Sequence, residues 1–352
     1  MLEYGKLLTE LASVVSVSSR EDKAHDWFVD LCTPIFDEVY TDHNGTVTAI
    51  KRCGKPEAEK LMLDAHLDEI GMVVTDITEK GSVKFASVGG IDTGILPASE
   101  LIIYGKKTVR GIVAAAPPHL VPESQRGKKP DISSLYIDTG YTKEELSKIV
   151  SKGDLIGFDT SSSKLINNKF YSKGLDDRAC ALCIIGAVEL LKNKEINYDI
   201  YAVFTSREET GTLGAVTSAY NLRPDMAIVV DVDHARLPEG EDIHHCVMGK
   251  GGSITYTGTL SRRLSDALVK SAKDSGLPYQ VTATGGHTGT NAHDLAVACD
   301  GIPTVVLSLP LKNMHTPVEI CSLSDMESVA GIIAEFASNG TFSGKEVVLI
   351  DR

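Results

Sequence analysis

Eight acidic or imidazole-bearing residues stand at or just past the ends of apolar runs. They are His66 and Asp68 in LMLDAHLDEIG, Asp176 and Asp177 in KGLDDRA, Glu208 and Glu209 in AVFTSREETG, Asp231 in MAIVVDVD, and His315 in NMHTP. Imidazole nitrogen and carboxylate oxygen together suit Zn²⁺, Co²⁺ or Mn²⁺, and the ends of buried strands are where an α/β fold gathers such groups.

Each position also has a plainer explanation. In extended backbone, residues i and i+2 share a side, so Asp68 is placed to take the free N–H of a metal-bound His66; a solvated turn would look the same. Acids in the first turn of a helix are favourable for dipole reasons alone, which explains Asp176 and Asp177 without a metal. Glu208 and Glu209 diverge after a buried strand, so one can ligate while the other stands over a water as general base; spacing does not say which. Asp231 has apolar neighbours on both sides, and a buried carboxylate is costly unless paired or metal-bound. Taken together, two histidines and several carboxylates on separate strand ends make a site for two divalent metals. Such a pair activates a bridging water and polarises a carbonyl, as in aminopeptidases.

The elements that must carry these residues are legible in outline. The opening MLEYGKLLTELASVV reads as an amphipathic helix rather than a signal peptide, and EDKAHDWFVDLC as a second helix. FDEVYTD, GTVTAIKR and KLMLDAH read as strands separated by turn signals. From 72 to about 163 the chain breaks into short β-like runs, with one helix, TKEELSKIV, opened by a Thr142–Glu145 capping box. From 164 the rhythm is strand–helix alternation. ACALCIIGAVELLKN is a helix whose Cys180 and Cys183 are small buried residues, and MAIVVDVD is a strand covered on both faces. SRRLSDALVKSAKDSG is a helix, PTVVLSL a strand, and the last helix is expected to start on a Ser324–Glu327 box. The fold expected is α/β: a mixed sheet covered by helices on both faces, formed by residues 1–71 and 164–352, with a small β-rich domain, 72–163, inserted.

Composition sets outer limits. With 352 residues, 42% hydrophobic and 24% charged, the chain is an ordinary globular one. A net charge of −13 without a basic stripe argues against nucleic acid. No apolar run reaches the roughly 18–20 residues of a membrane span. Seven cysteines without framework spacing fit a reducing cytoplasm.

The motifs together resemble metallopeptidase family 42, the glutamyl, leucyl and lysyl aminopeptidases known as tetrahedral dodecamers. Similarity runs through AHLDEIG, GGIDTGILPASELIIYG, GIVAAAPPHL, KGLDDRA, EETGTLGA, VVDVD, GIPTVVLS and MHTPVE. The resemblance implies a zinc-peptidase-like catalytic domain with two divalent ions, Zn²⁺ or Co²⁺ foremost and Mn²⁺ as an option. It gives His66 and Asp231 to one ion, Glu209 and His315 to the other, and Asp176 to both. It makes Glu208 the base and Asp68 the residue that orients His66. It also implies peptide substrates with a free N-terminus, an insert that mediates subunit contacts, and a dodecamer built from dimers. Two positions depart from the pattern: Arg207 stands where glutamine is more usual, and Asn291 replaces the aspartate of a Gly-Thr-Asp segment. Both are expected beside the substrate. His287 and His293 read as polar loop groups and His119 as a turn or interface residue of the insert. The competing readings are another dinuclear hydrolase on the same scaffold (a dipeptidase, carboxypeptidase or deacylase), or a non-catalytic metal-binding assembly protein. Some relatives carry an endoglucanase label, but a histidine-containing constellation is unlike the carboxylate pair of glycoside hydrolysis.

Overall fold

The computed structural model describes residues 2–120, 123, 127–237 and 246–346. Its largest sheet has eight strands. In spatial order they are β1 (Glu38–Thr41), β2 (Val47–Lys51), β12 (Asp199–Thr205), β3 (Lys60–His66), β13 (Met226–His234), β16 (Thr304–Leu311), β14 (Gly252–Thr257) and β15 (Tyr279–Thr284). The central strands β12, β3, β13 and β16 are mutually parallel, while β2 and β14 each join the sheet antiparallel. The mixed α/β fold expected from the alternating texture is therefore present.

Strand β13 explains its unbroken apolar run. Met226, Ile228 and Val230 enter one core, and Ala227 and Val229 the other. The first core is covered by α1 (Tyr4–Ala12), α2 (Asp22–Cys32), α4 (Leu175–Leu190), α6 (Arg262–Asp274) and α8 (Leu323–Asn339); the second by α5 (Leu213–Leu222) and α7 (Ala292–Val297). Both faces are buried, so alternation gives way to continuous hydrophobicity.

A closed barrel follows β3 directly: β4 (Gly71–Ile77), β5 (Val83–Val88), β8 (Tyr136–Asp138), β7 (Thr108–Ala114), β6 (Glu100–Tyr104) and β9 (Leu155–Phe158), in that spatial order. It has its own core, including Met72, Phe85, Leu101, Ile103 and Ile156. Strand β7 turns one face to solvent, with exposed and buried residues alternating along most of its length, whereas β9 is buried throughout. The short α3 (Lys143–Leu146) carries the expected Thr142–Glu145 capping box. A third sheet joins β10 (Ser163–Leu165), β11 (Lys169–Ser172) and β17 (Glu319–Ser322).

Two local expectations change. Helix α8 is capped two residues early, by Ser322, whose hydroxyl accepts the N–H of Asp325 at 3.4 Å. Ser322 ends β17 with extended backbone, so strand passes straight into helix and Ser324 already lies inside it. Asp176 and Asp177 lie within the assigned span of α4 but have non-helical backbone angles; the regular helix begins after them. Among the described residues no helix is long and apolar enough to cross a membrane.

Candidate metal centre

The parallel strands end at a common edge, where open α/β sheets place their ligand crevices. Strand β3 ends on His66, whose register partner on β12 is Thr205; beyond it β12 delivers Arg207, Glu208 and Glu209. Strand β13 carries Asp231 opposite Ser308 of β16. The loop after β16 brings His315, and the residues ahead of the regular turns of α4 bring Asp176.

Asp176 lies between the two histidines. Its Oδ1 is 3.1 Å from Nε2 of His66, and its Oδ2 is 3.2 Å from Nε2 of His315. Glu209 Oε1 also lies 3.2 Å from His315 Nε2. The opposite ring nitrogens face backbone carbonyls: His66 Nδ1 is 2.9 Å from the Asp68 carbonyl, and His315 Nδ1 is 2.9 Å from that of Gly90. Donation from Nδ1 leaves each Nε2 facing carboxylate oxygen. At such distances each contact needs either a proton on Nε2 or a metal cation between the two atoms.

Two sets of ligand atoms lie within 4.8 Å of one another: His66, Asp176 and Glu209, and His66, Asp177 and Asp231. Asp177 Oδ2 accepts the backbone N–H of His66 at 3.2 Å, while Oδ1 is buried with no hydrogen-bond partner among the described residues. This orphaned oxygen and the N/O donor set fit divalent cations.

The electrostatics agree. Burial pushes the Asp231 and Asp177 carboxyls well above the ordinary range; Asp176 adds to this at both, Glu208 at Asp231, and the two carboxylates repel each other at Asp177. Burial raises Glu208 to about 7, with Glu209, Asp68 and Asp176 adding repulsion that His66 partly offsets. Hydrogen bonds to Asp176 and Glu209 hold His315 up at about 11 despite burial. Burial opposes charge on His66, yet Asp176, Asp68 and Glu208 keep its pKa well above the usual imidazole value. Asp176 is the exception: despite burial, His315 and His66 hold its carboxyl well below the usual range. The carboxylates still outnumber the two histidines, a surplus of negative charge that bound cations would neutralise.

Asp68 is buried at 0% exposure and meets His66 Nδ1 with two groups. Its carbonyl takes the closer contact, at 2.9 Å, and its carboxylate stands 3.5 Å away. The carboxylate also accepts the backbone N–H groups of Glu208 at 2.9 Å and Glu209 at 3.1 Å, with the Ser18 hydroxyl donating to it as well.

Below the ligands lies a buried ionic group. Glu69 accepts from Lys173 at 2.7 Å and from Arg178 at 3.2 Å, and Arg178 donates further to the carbonyls of Gly174, Leu11 and Val14. It ties the His66–Glu69 segment to the start of α4. Gly174 has φ +58°, and a Cβ there would run into Arg178 and Glu69. Neither this group nor Asp177 nor Glu319 was assigned a task from sequence; acids flanked by Lys173 and Arg178 in KGLDDRA were the one hint of a buried cluster.

The two positions expected beside the substrate differ. Asn291 is buried at 1% exposure, with its amide nitrogen donating to Asp64 Oδ1 at 2.8 Å and the Thr205 hydroxyl at 3.0 Å. It lies against β3 and β12 rather than at a substrate surface, because α7 packs its first turn onto that face. Arg207 is half-buried with φ +58°, and its Nε is buried without a partner among the described residues. The rings of His287 and His293 lie 3.7 Å apart, and His119 is exposed.

The chain is similar to known proteins over most of its length. The family model described as M42 glutamyl aminopeptidase matches residues 45–332. Lysyl aminopeptidase from Pyrococcus furiosus is 31% identical, over 86% of this chain and 87% of its own. The solved aminopeptidase APDkam598 of Desulfurococcus kamchatkensis superposes with a TM-score of 0.90 at 29% identity, covering 96% of this chain and 95% of that one. The TET1 peptidase of Pyrococcus horikoshii, described as assembling into a tetrahedron or a large octahedral shell, gives 0.84 at 27% identity, over 96% and 100% of the two chains.

Proposed function

This chain belongs to the M42 glutamyl aminopeptidase family, a family of metal-dependent peptidases, and from that premise we propose that it removes N-terminal residues from peptides with two divalent ions and a glutamate base. The observation that carries the reading is Asp176 facing both histidines, one carboxylate oxygen to each. His66 and Asp231 would hold one ion and Glu209 and His315 the other, with Asp176 shared. Asp177 is the rival partner for His66 and Asp231. We prefer Asp176 because it turns one oxygen to each histidine, whereas Asp177 commits one oxygen to the His66 amide. Zn²⁺ or Co²⁺ suits the donors best, with Mn²⁺ next.

Bound ions would lower the pKa of a water and polarise the scissile carbonyl. The protein's own groups do the rest. Glu208 is the candidate base: its carboxylate approaches His66 Nε2 to 4.0 Å, and Asp68 fixes its backbone. With a pKa near 7 it can take a proton from the attacking water and return it to the departing amine. Gly90 and Asp68 hold the histidine tautomers through their carbonyls. A Cβ at Gly90 would sit 3.0 Å from His315 Nδ1, tight enough to press on the ring.

We further assign residues 1–71 and 164–352 to the catalytic unit and 72–163 to an insert that mediates self-association, following the assembled TET1 relative. Free cysteines throughout suit a reducing cytoplasm. The deciding experiment measures metal content by mass spectrometry alongside hydrolysis of aminoacyl-p-nitroanilides and of the same compounds N-acetylated. Two ions per chain and activity confined to free N-termini are expected; equal cleavage of blocked substrates would remove the aminopeptidase reading.

A further inference from the structure

Glu319 is 2% exposed and makes two hydrogen bonds, each to the backbone of a different ligand residue. Its Oε2 accepts the N–H of Asp176 at 3.1 Å, and its Oε1 accepts the N–H of His315 at 3.0 Å. We infer that Glu319 is a positioning residue that fixes Asp176 and His315 relative to each other, so that the ion they share finds its donors preset. The inference rests on the dinuclear reading above.

The topology explains why this residue can do it. Strand β17 pairs antiparallel with β11, with Glu319 opposite Ser172, and Asp176 follows four residues after Ser172. On its other side, Lys312 and Ile320 exchange both backbone hydrogen bonds, at 2.9 and 3.0 Å. They close a loop in which His315 takes a left-handed φ of 59°, unfavourable for a residue with a Cβ. Glu319 thus stands where the approach to α4 and the His315 loop cross. A carboxylate has two acceptor oxygens and no donor, so it can meet two diverging amides with one oxygen each.

The same device recurs around the site. Asp68 accepts the amides of Glu208 and Glu209, and Asp177 that of His66. Four of the five proposed ligands (His66, Asp176, Glu209 and His315) therefore have their own backbone N–H held by an acid. Of these three acids, only Glu319 accepts the backbone amides of two proposed ligands from separate chain segments.

The test is Glu319→Gln, titrated with Co²⁺ and followed by visible absorption below the melting temperature of the metal-free protein. Glutamine offers one acceptor and turns an NH₂ toward the second amide. Expected are Co²⁺ binding weaker by roughly 10–100-fold, an altered d–d spectrum, and at saturating Co²⁺ a lower kcat with little change in KM. A merely structural role would lower the melting temperature but leave Co²⁺ affinity and spectrum as in the wild type, and that result overturns the inference. If Glu319→Gln does not fold, Glu319→Asp, which shortens the arm, is read by the same two measurements against the same criterion. Failure of the wild type to take up Co²⁺ would sink the dinuclear reading and this inference with it; equal binding by wild type and variant removes this inference alone.

Discussion

Glu21, at the start of α2, accepts the backbone N–H of Arg207 at 3.1 Å through its Oε1, joining the helix to the glutamate-bearing turn after β12. The carboxyl is buried, and burial, aided by nearby Asp68 and opposed by backbone hydrogen bonds, raises its pKa from 4.5 to about 7. A folded state that holds a proton more tightly than the unfolded chain is stabilised by it at low pH. That contribution is complete below the unfolded pKa of 4.5 and is lost as pH rises through about 7. Glu21→Gln should therefore show a smaller decline in stability across this window than wild type. Urea melts at a series of pH values, in chelator so that metal uptake does not contribute, check this; parallel curves would refute it.

Glu208→Gln should lower kcat by about 10²–10⁴-fold, the usual worth of a positioned base, while metal content stays near wild type. Turnover close to wild type would show that another group moves the proton.

Removal of divalent ions should abolish hydrolysis and lower the melting temperature, because Asp176, Asp177, Glu208, Glu209 and Asp231 are then crowded with only His66 and His315 as countercharge. Each ion present at a hundred times its Kd should restore about 2.7 kcal/mol. Differential scanning calorimetry against added Zn²⁺, Co²⁺ or Mn²⁺ measures it, and a melting temperature indifferent to chelation and to added ions would contradict the assignment.

Glu69→Ala should cost about 3–5 kcal/mol, since it leaves Lys173 and Arg178 buried without their partner. Urea denaturation reads this directly. A loss under about 1 kcal/mol would mean that water or the neighbouring carbonyls compensate.

Asn291→Asp would set a second carboxylate against Asp64, now 2.8 Å from the Asn291 amide nitrogen. One of the two acids must then keep a proton, so the variant should lose more stability at about pH 8 than at about pH 5, with KM unchanged. A large rise in KM would return Asn291 to the substrate surface.

The strands that carry the site were legible because burial writes itself into composition: β3, β12, β13 and β16 are apolar runs with an acid or histidine at or after the end. The strands β8, β10, β11 and β17 left no such mark. They are three or four residues long, and β10 is exposed along its whole length. At the site, the identities of the candidate ligands could be read, but not what holds them. Glu319 sits in TPVEICS like any surface glutamate, and only the pairing of β17 with β11 turns it inward. Asp68 was read for its side chain facing His66, and spacing cannot tell that its carbonyl would make the closer contact while the carboxylate also held two distant amides. Asn291 was misjudged because a glycine-rich stretch reads as a loop, and the packing of α7 that buries it is a tertiary event.

The bond from His315 to Gly90 bears on how the protein can be dissected. Gly90 belongs to the stretch between β5 and β6, part of the barrel's own chain, so one hydrogen bond of the His315 ring is supplied from outside the large sheet. Splicing residue 71 to residue 164 to obtain a minimal hydrolase would keep every proposed ligand and the base, yet free the His315 ring to turn and to change tautomer. A shortened enzyme, or a transplant of this site onto another sheet, needs a replacement carbonyl at that point before it needs any further ligand.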